Sequence, residues 1–173
     1  MWDRIKSSLK YISQWSGKGV SLLTLIMALL MFTNAILSNV FQINFIALQE
    51  STTWLHAAVF MLGAAYTLQS NEHVRVDIFY RQYSAKTQAI VDIAGTLLFL
   101  FPVSLFILIS SWRYVSLSWK LGEASAEVGG LPALYLLKSL VIVMPILLLI
   151  EGCHQIMNNI EKFQQAKHEE SVS

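Results

Sequence analysis

Leu22-Leu-Thr-Leu-Ile-Met-Ala-Leu-Leu-Met-Phe-Thr-Asn-Ala-Ile-Leu37 contains no charged residue and no proline. It lies inside a longer block, residues 19–49, that is free of Lys, Arg, Asp and Glu. Residues 51–71 and 93–112 are equally free of charge. Crossing the hydrocarbon of a bilayer takes roughly 20 residues of helix, and each of these blocks is long enough. The whole chain agrees with them. It has 173 residues, of which 55% are hydrophobic and 13% charged, against roughly 25% charged for an ordinary soluble domain. A soluble domain of this size could not cover itself with so few charges. A soluble enzyme, a disordered tail and a nucleic-acid binder are therefore excluded. The lone Cys153 offers neither an internal disulfide nor a cysteine-rich metal site.

The fold class expected is an all-α integral membrane protein with four transmembrane helices, at about 19–43, 53–70, 89–112 and 133–156. Residues 1–160 form a single membrane domain in this reading, and 161–173 a polar cytoplasmic tail. Helix is nearly forced, because unpaired backbone groups are too costly in lipid. A membrane β-barrel would show short alternating segments in place of continuous apolar blocks. The second span carries small residues, Ala57, Ala58, Gly63, Ala64 and Ala65, which let a neighbouring helix come close. Pro102 is expected to bend the third span, and Pro132 to stand in the first turn of the fourth or just before it. Nine Lys and Arg fall on one side of the membrane and three on the other when both termini are cytoplasmic, the orientation that the positive-inside rule favours. No internal repeat of the kind that builds transporters is visible.

Residues 2–16 read as an amphipathic helix. Trp2, Ile5, Leu9, Ile12 and Trp15 share one side, an arrangement suited to lying among the lipid headgroups. Gly17 and Gly19 are expected to form the corner into the first span.

Polar residues at membrane depth need partners. Asn34 is expected to hydrogen-bond to a neighbouring helix. Glu50 stands at the outer border, where it either caps the second helix or pairs with a basic group on a partner. His56 and His154 fall at opposite membrane levels, so a haem bridging them is not expected. Asp92 and Glu151, on helices running in opposite directions, are expected at one level. There they could form a cation or proton site, or else reach cytoplasmic water or pair with Lys86 or Arg81; the latter, structural reading is preferred.

Two connections are distinctive. Between spans two and three, His73, Arg75 and Asp77 alternate with Val74, Val76 and Ile78. Arg75 and Asp77 are suited to tying helix ends or a partner together. No nucleophile or metal-ligand set accompanies His73 and Asp77, so no catalytic residue, cofactor site or metal site is assigned. Between spans three and four, Glu123, Ser125 and Glu127 either contact a protein docked on the outer face or line a solvated loop. Gly129 and Gly130 supply conformational freedom there, and Pro132 stiffens the entry to the fourth span.

Leu62-Gly-Ala-Ala-Tyr66, His73-Val-Arg-Val-Asp77, Gly122-Glu-x-Ser125, Gly129-Gly-Leu-Pro132 and Lys138 occur in this order between the spans. In this pattern, over about Ser13 to Ile160, the chain resembles the four-span small membrane subunit of the tripartite ATP-independent periplasmic (TRAP) transporters. It departs from the family's richer acidic pattern before the second span, having Gln49-Glu50 there. The resemblance implies a non-catalytic scaffold in the bacterial inner membrane. Its partners would be a large multi-span membrane subunit, which carries organic acids with an ion gradient, usually sodium, and a periplasmic substrate-binding protein. Membrane lipids would surround it, and no cofactor or nucleic acid is implied. Trp2, Trp15, Asn34, Glu50, His73, Arg75, Asp77, Glu123, Ser125, Glu127, Gly129, Gly130, Pro132 and Lys138 are the residues expected to shape the scaffold or meet partners. The alternative is a self-sufficient homo-oligomeric transporter or channel using Asn34, Asp92 and Glu151. More remote is an electron-transfer or enzyme role for His56, His73 and His154.

Overall fold

The computed structural model describes residues 2–69, 80 and 82–172. Its helices are α1 (Trp2–Asn39), α2 (Ile46–Gln69), α3 (Ala85–Gly95), α4 (Phe101–Leu121) and α5 (Leu134–Val172). A π-helical turn, Thr96–Leu100, joins α3 to α4, so the two form one rod. α5 is the hub: α1, α2, α3, the π turn and α4 all pack against it.

α1 runs 38 residues without a break, and the expected corner at Gly17 and Gly19 is absent. Gly17 serves packing instead. A Cβ there would stand 2.6 Å from Cε2 of Tyr66, so the missing side chain is what lets the Tyr66 ring lie against α1. Val20 likewise sits 3.6 Å from the Cβ position of Gly63. The small residues of α2 do admit a neighbour closely, as their composition implied.

α1 ends at Asn39, four residues short of the expected limit, and Gln42 takes a positive φ of 56° in the turn between α1 and α2. α2 begins at Ile46, seven residues before the expected start. The polar run that masked its beginning is satisfied within the helix. The hydroxyls of Ser51, Thr52 and Thr53 donate to the carbonyls of Ala47, Leu48 and Gln49. Among the described residues three stretches, Gly19–Asn39, Lys86–Leu121 and Leu134–Gln165, are long and apolar enough to cross a membrane. α2, expected as a fourth, falls short by composition, because Gln49 to Thr53 and His56 dilute its apolar residues.

The rod is longer than the expected third span, running from Ala85 to Leu121. Ser84 caps its start, its hydroxyl accepting the Thr87 N–H. Pro102 lacks the N–H that an α-helix needs, and the ladder widens just before it. The Phe101 N–H reaches Thr96 O, five residues back, the usual way a helix absorbs such a defect. Pro132 lies in the loop before α5. α5 passes through Pro145 and continues to Val172, beyond the expected limit of the fourth span and through the stretch expected as a tail.

The interior is small and polar, the exterior large and apolar. Buried positions include Ala65, Ala89, Val115, Thr96, Ser104, Ser118, Glu151, His154 and Asn159, whereas Leu22, Leu29, Phe32, Phe60, Phe106 and Ile109 are all more than half exposed. In water this arrangement would be unstable, since burial of large apolar side chains is what drives folding. In a bilayer the exterior is already solvated by lipid, and close packing with internal hydrogen bonds holds the helices.

Candidate functional site

At one end of the helices, the start of α2 meets the loop between α4 and α5. Gly122, in the left-handed conformation (φ 56°), ends α4. Glu123 N–H then bonds back to Ser118 O at 3.1 Å, and Gly122 N–H to Trp119 O at 3.2 Å, the pair of bonds that closes a Schellman motif. The loop folds on itself through Ser125 N–H to Leu131 O (2.9 Å) and Gly130 N–H to Glu127 O (3.0 Å). Gly129, at φ 81°, holds the third position of that second turn, which a side chain would strain.

Glu50 grips this loop from α2. Ser125 Oγ donates to Glu50 Oε1, and Leu131 N–H donates to Glu50 Oε2 at 2.6 Å. Ser125 Oγ also accepts the Glu127 N–H at 3.1 Å. A Cβ on Gly130 would meet Ser125 Oγ at 2.5 Å and Glu50 Oε2 at 2.8 Å, so only glycine leaves room for the carboxylate. The Ser125 hydroxyl, and after it the Leu131 amide, hold the Glu50 carboxyl below the usual carboxylate range, because both donate to its ionised form. Within this chain Glu50 thus clasps a distant loop with both of its oxygens.

A second tie closes the other side of the loop. Lys138 Nζ lies 2.5 Å from Glu123 Oε2, and the Lys138 side chain is only 14% exposed. The ammonium also stands 4.2 Å from the centre of the Tyr114 ring on α4, near enough for a cation–π contribution. Lys138 lowers the Glu123 carboxyl in the same sense as Ser125 does for Glu50. Beside it, the Trp119 indole N–H donates to Ser139 Oγ at 2.8 Å, and the Trp119 and Tyr135 rings pack 4.5 Å apart.

Of the residues singled out in the sequence, Glu50, Glu123, Ser125, Gly129, Gly130 and Lys138 converge here. Glu127 and Pro132 lie in the same loop with exposed side chains. His73, Arg75 and Asp77 lie outside the described residues, as do the side chains of Trp2 and Trp15. Asn34 is on the inward face of α1, and its Oδ1 is buried without a hydrogen-bond partner among the described residues, contrary to the expected helix–helix bond. With Gly17 opposite Tyr66 and Val20 opposite Gly63, Asn34 falls opposite the first turns of α2, where the hydroxyls are already bonded to their own backbone. Tyr114, Trp119 and Leu131 were not anticipated. No local motif marks Tyr114 or Trp119, and Leu131 stands in the Gly129–Pro132 motif without a role of its own there, because all three roles depend on α5 and α2 arriving beside them.

The opposite end holds the remaining polar groups. Tyr80 OH donates to Asp92 Oδ2 at 2.8 Å, and the Gln155 amide donates to Leu68 O at 2.7 Å, tying α5 to the end of α2. His154 Nδ1 lies 3.1 Å from Glu151 Oε1, and its Nε2 lies 3.3 Å from Asn158 Nδ2. The expected common level of Asp92 and Glu151 is not found. The Cβ position of Gly152 lies 2.6 Å from the Phe101 ring, which sets Glu151 level with the π turn. Asp92 is about eight residues, or about 12 Å, nearer the end of the rod. His56 and His154 do fall at different levels. Gln155 is level with Leu68, and His56 is about 18 Å up α2 from there. Among the described residues no group of three or more His, Cys, Asp or Glu side chains is placed to hold a metal ion.

These features define a multi-pass helical membrane protein whose distinctive polar motifs, where described, are used to join its own helices. Residues 27–163 match the family of tripartite ATP-independent periplasmic transporters, DctQ component, and the chain belongs to that family, whose small subunits serve transport and are non-catalytic. No curated protein and no solved structure matches the chain.

Proposed function

We propose that this chain is the non-catalytic scaffold subunit of a TRAP importer of organic acids in a bacterial inner membrane. The observation that carries the reading is the family match over residues 27–163, and the inverted polarity of the structure supports it. Among the described residues the buried positions are few, and many large apolar side chains stand exposed, a surface available to a membrane partner. The scaffold clasps a large transport subunit driven by an ion gradient, sodium being the expected coupling ion. The latched α4–α5 loop lies on the periplasmic side, where Glu127 and Pro132 are free to contribute to the face that receives a substrate-binding protein.

In this reading α2 is a fourth crossing. Its 24 residues span about 36 Å, more than the roughly 30 Å of hydrocarbon, so its first turn, up to Glu50, stands at the border of the crossing. It lies between α1 and α5, both of which cross. Both termini are cytoplasmic, on the strength of the Lys and Arg distribution. The start of α1, continuous with the first crossing, extends from it on the cytoplasmic side, and residues 73–77 tie that side to the large subunit.

Affinity purification of the tagged chain from native membranes in mild detergent tests the assignment. Recovery of a stoichiometric membrane subunit of many spans is the result expected. Recovery only as a homo-oligomer that moves solute in liposomes without a partner would replace the scaffold with the self-sufficient channel.

A further inference from the structure

The loop between α4 and α5 has its polarity reversed. Its polar side chains Glu123 and Ser125 turn inward onto Lys138 and Glu50, while Ala124, Ala126, Val128 and Pro132 are exposed. Val128 is the extreme case: 91% of its surface is exposed, more than for any other large apolar side chain among the described residues. It holds the second position of the Glu127–Gly130 turn, and the backbone on both sides of it is fixed. The Glu127 N–H is held by Ser125 Oγ, the Ser125 N–H by Leu131 O, and the Leu131 N–H by Glu50. Next to it, the exposed Glu127 carboxylate makes no ion pair among the described residues.

A single apolar side chain on a surface needs no explanation. Here four apolar residues stand exposed on one loop whose polar residues are used within it, and the tip is held in one shape before any partner arrives. Such preorganisation removes the ordering cost of a contact. A carboxylate beside Val128 is costly in hydrocarbon, so the tip is built for water and not for lipid tails. An apolar centre with a charged rim is the anatomy of a protein contact. The rim charge is negative, which calls for a positive partner surface. We propose that Val128 is the anchor by which this loop docks a water-soluble protein. Its side chain enters an apolar hollow on that protein, and Glu127 pairs with a Lys or Arg at the border of the hollow. The inference rests on the proposed function, under which that protein is the substrate-binding protein. It adds the anchoring side chain and the chemistry of the surface that receives it.

The test uses the full chain with its copurified membrane subunit, held in lipid nanodiscs and titrated with the purified substrate-binding protein of the system. Val128→Asp is expected to weaken binding roughly tenfold, the size of loss that an anchor residue shows. Glu127→Lys should weaken it too, by a factor that shrinks as salt is raised. Gln82→Ala, at an exposed position at the opposite end of the helices, should change nothing. Hydrogen exchange at the Leu131 amide should be the same in all of these variants, which separates lost docking from a loosened loop. A photoreactive residue at position 128 should cross-link to the substrate-binding protein. Cross-linking there to phospholipid, or to the large subunit alone, would overturn the proposal in favour of that neighbour. Wild-type affinity in Val128→Asp, with the large subunit present and the substrate-binding protein bound, would overturn it and leave the scaffold assignment standing. A purified chain with no large subunit would defeat the scaffold assignment and this inference with it.

Discussion

Glu50 accepts the backbone N–H of Leu131 at 2.6 Å across 81 residues of sequence. With the Ser125 hydroxyl on its other oxygen, this carboxylate is the fastening between α2 and the α4–α5 loop. Removing it strands the Leu131 amide, and an unsatisfied backbone donor costs more than the bond itself contributes. Glu50→Ala is expected to leave the helices folded and to open the loop locally. Proteolysis between Glu127 and Leu131 should rise on the order of tenfold, with far-UV circular dichroism unchanged. Unchanged cleavage would mean the fastening is dispensable.

Gly130 is predicted to matter through Glu50 and Ser125. Gly130→Ala places a Cβ against both and should loosen the loop as Glu50→Ala does. In the double variant the second change should add little, because residues that share one contact are not additive. A full additive effect, read by the same proteolysis assay or by thermal denaturation in detergent, would show that Gly130 acts elsewhere.

The pH dependence of the latch has a definite sign. Glu50 and Glu123 both titrate below the ordinary carboxylate value of 4.5 in the folded protein. A group with a depressed folded pKa contributes stability that is fully present above its unfolded pKa and is lost as pH falls through the folded one. Loop protection is therefore expected to be flat from neutral pH down to about 5 and to fall only below the normal carboxylate range. Hydrogen exchange at the Leu131 amide across that range is the measurement. Loss of protection between about pH 7 and 5 would contradict the assignment.

Lys138 is nearly covered and faces both Glu123 and Tyr114. Lys138→Met should leave Glu123 without its ion pair and lower the melting temperature modestly, since the carboxylate remains partly in water. The swapped pair Glu123→Lys with Lys138→Glu should recover part of the loss, though not the Tyr114 contribution. Altering Glu123 alone is accordingly expected to disturb the loop itself, whereas Glu127→Ala, at an exposed side chain, should spare the loop and affect only a docked protein. A thermal denaturation series on these variants separates the outcomes.

Gly17→Leu probes the packing of α1 on α2. Its side chain would occupy the space of the Tyr66 ring, and no rotation at a glycine hinge relieves it because the helix is continuous there. Overpacking of this kind costs about 1–3 kcal/mol. Gly19→Leu, with nothing near its Cβ, should be tolerated. Equal melting temperatures for the two variants would count against the close α1–α2 contact.

Much of the architecture was legible along the chain. The block from Leu22 to Leu37 required a membrane helix, because charge-free length and the cost of an unpaired backbone in lipid are local properties. The same holds for the apolar runs of the rod and α5. The small residues of α2 announced close packing, and Pro102 announced an irregularity, found as the π turn beside it. The motif around Gly122 to Pro132 was recognisable as a set, yet its purpose was not. What Ser125, Gly130 and Lys138 do depends on Glu50 standing 75 residues from Ser125 in sequence and in contact with it in space. The start of α2, hidden behind polar residues that bond to their own backbone, and the separate levels of Asp92 and Glu151 were likewise decided by how the helices dock. Periodicity and composition report what each segment needs from its solvent. Only the tertiary structure sets the register between helices, because that register depends on which side chains are small enough, at Gly17, Gly63 and Gly152, to let two backbones meet.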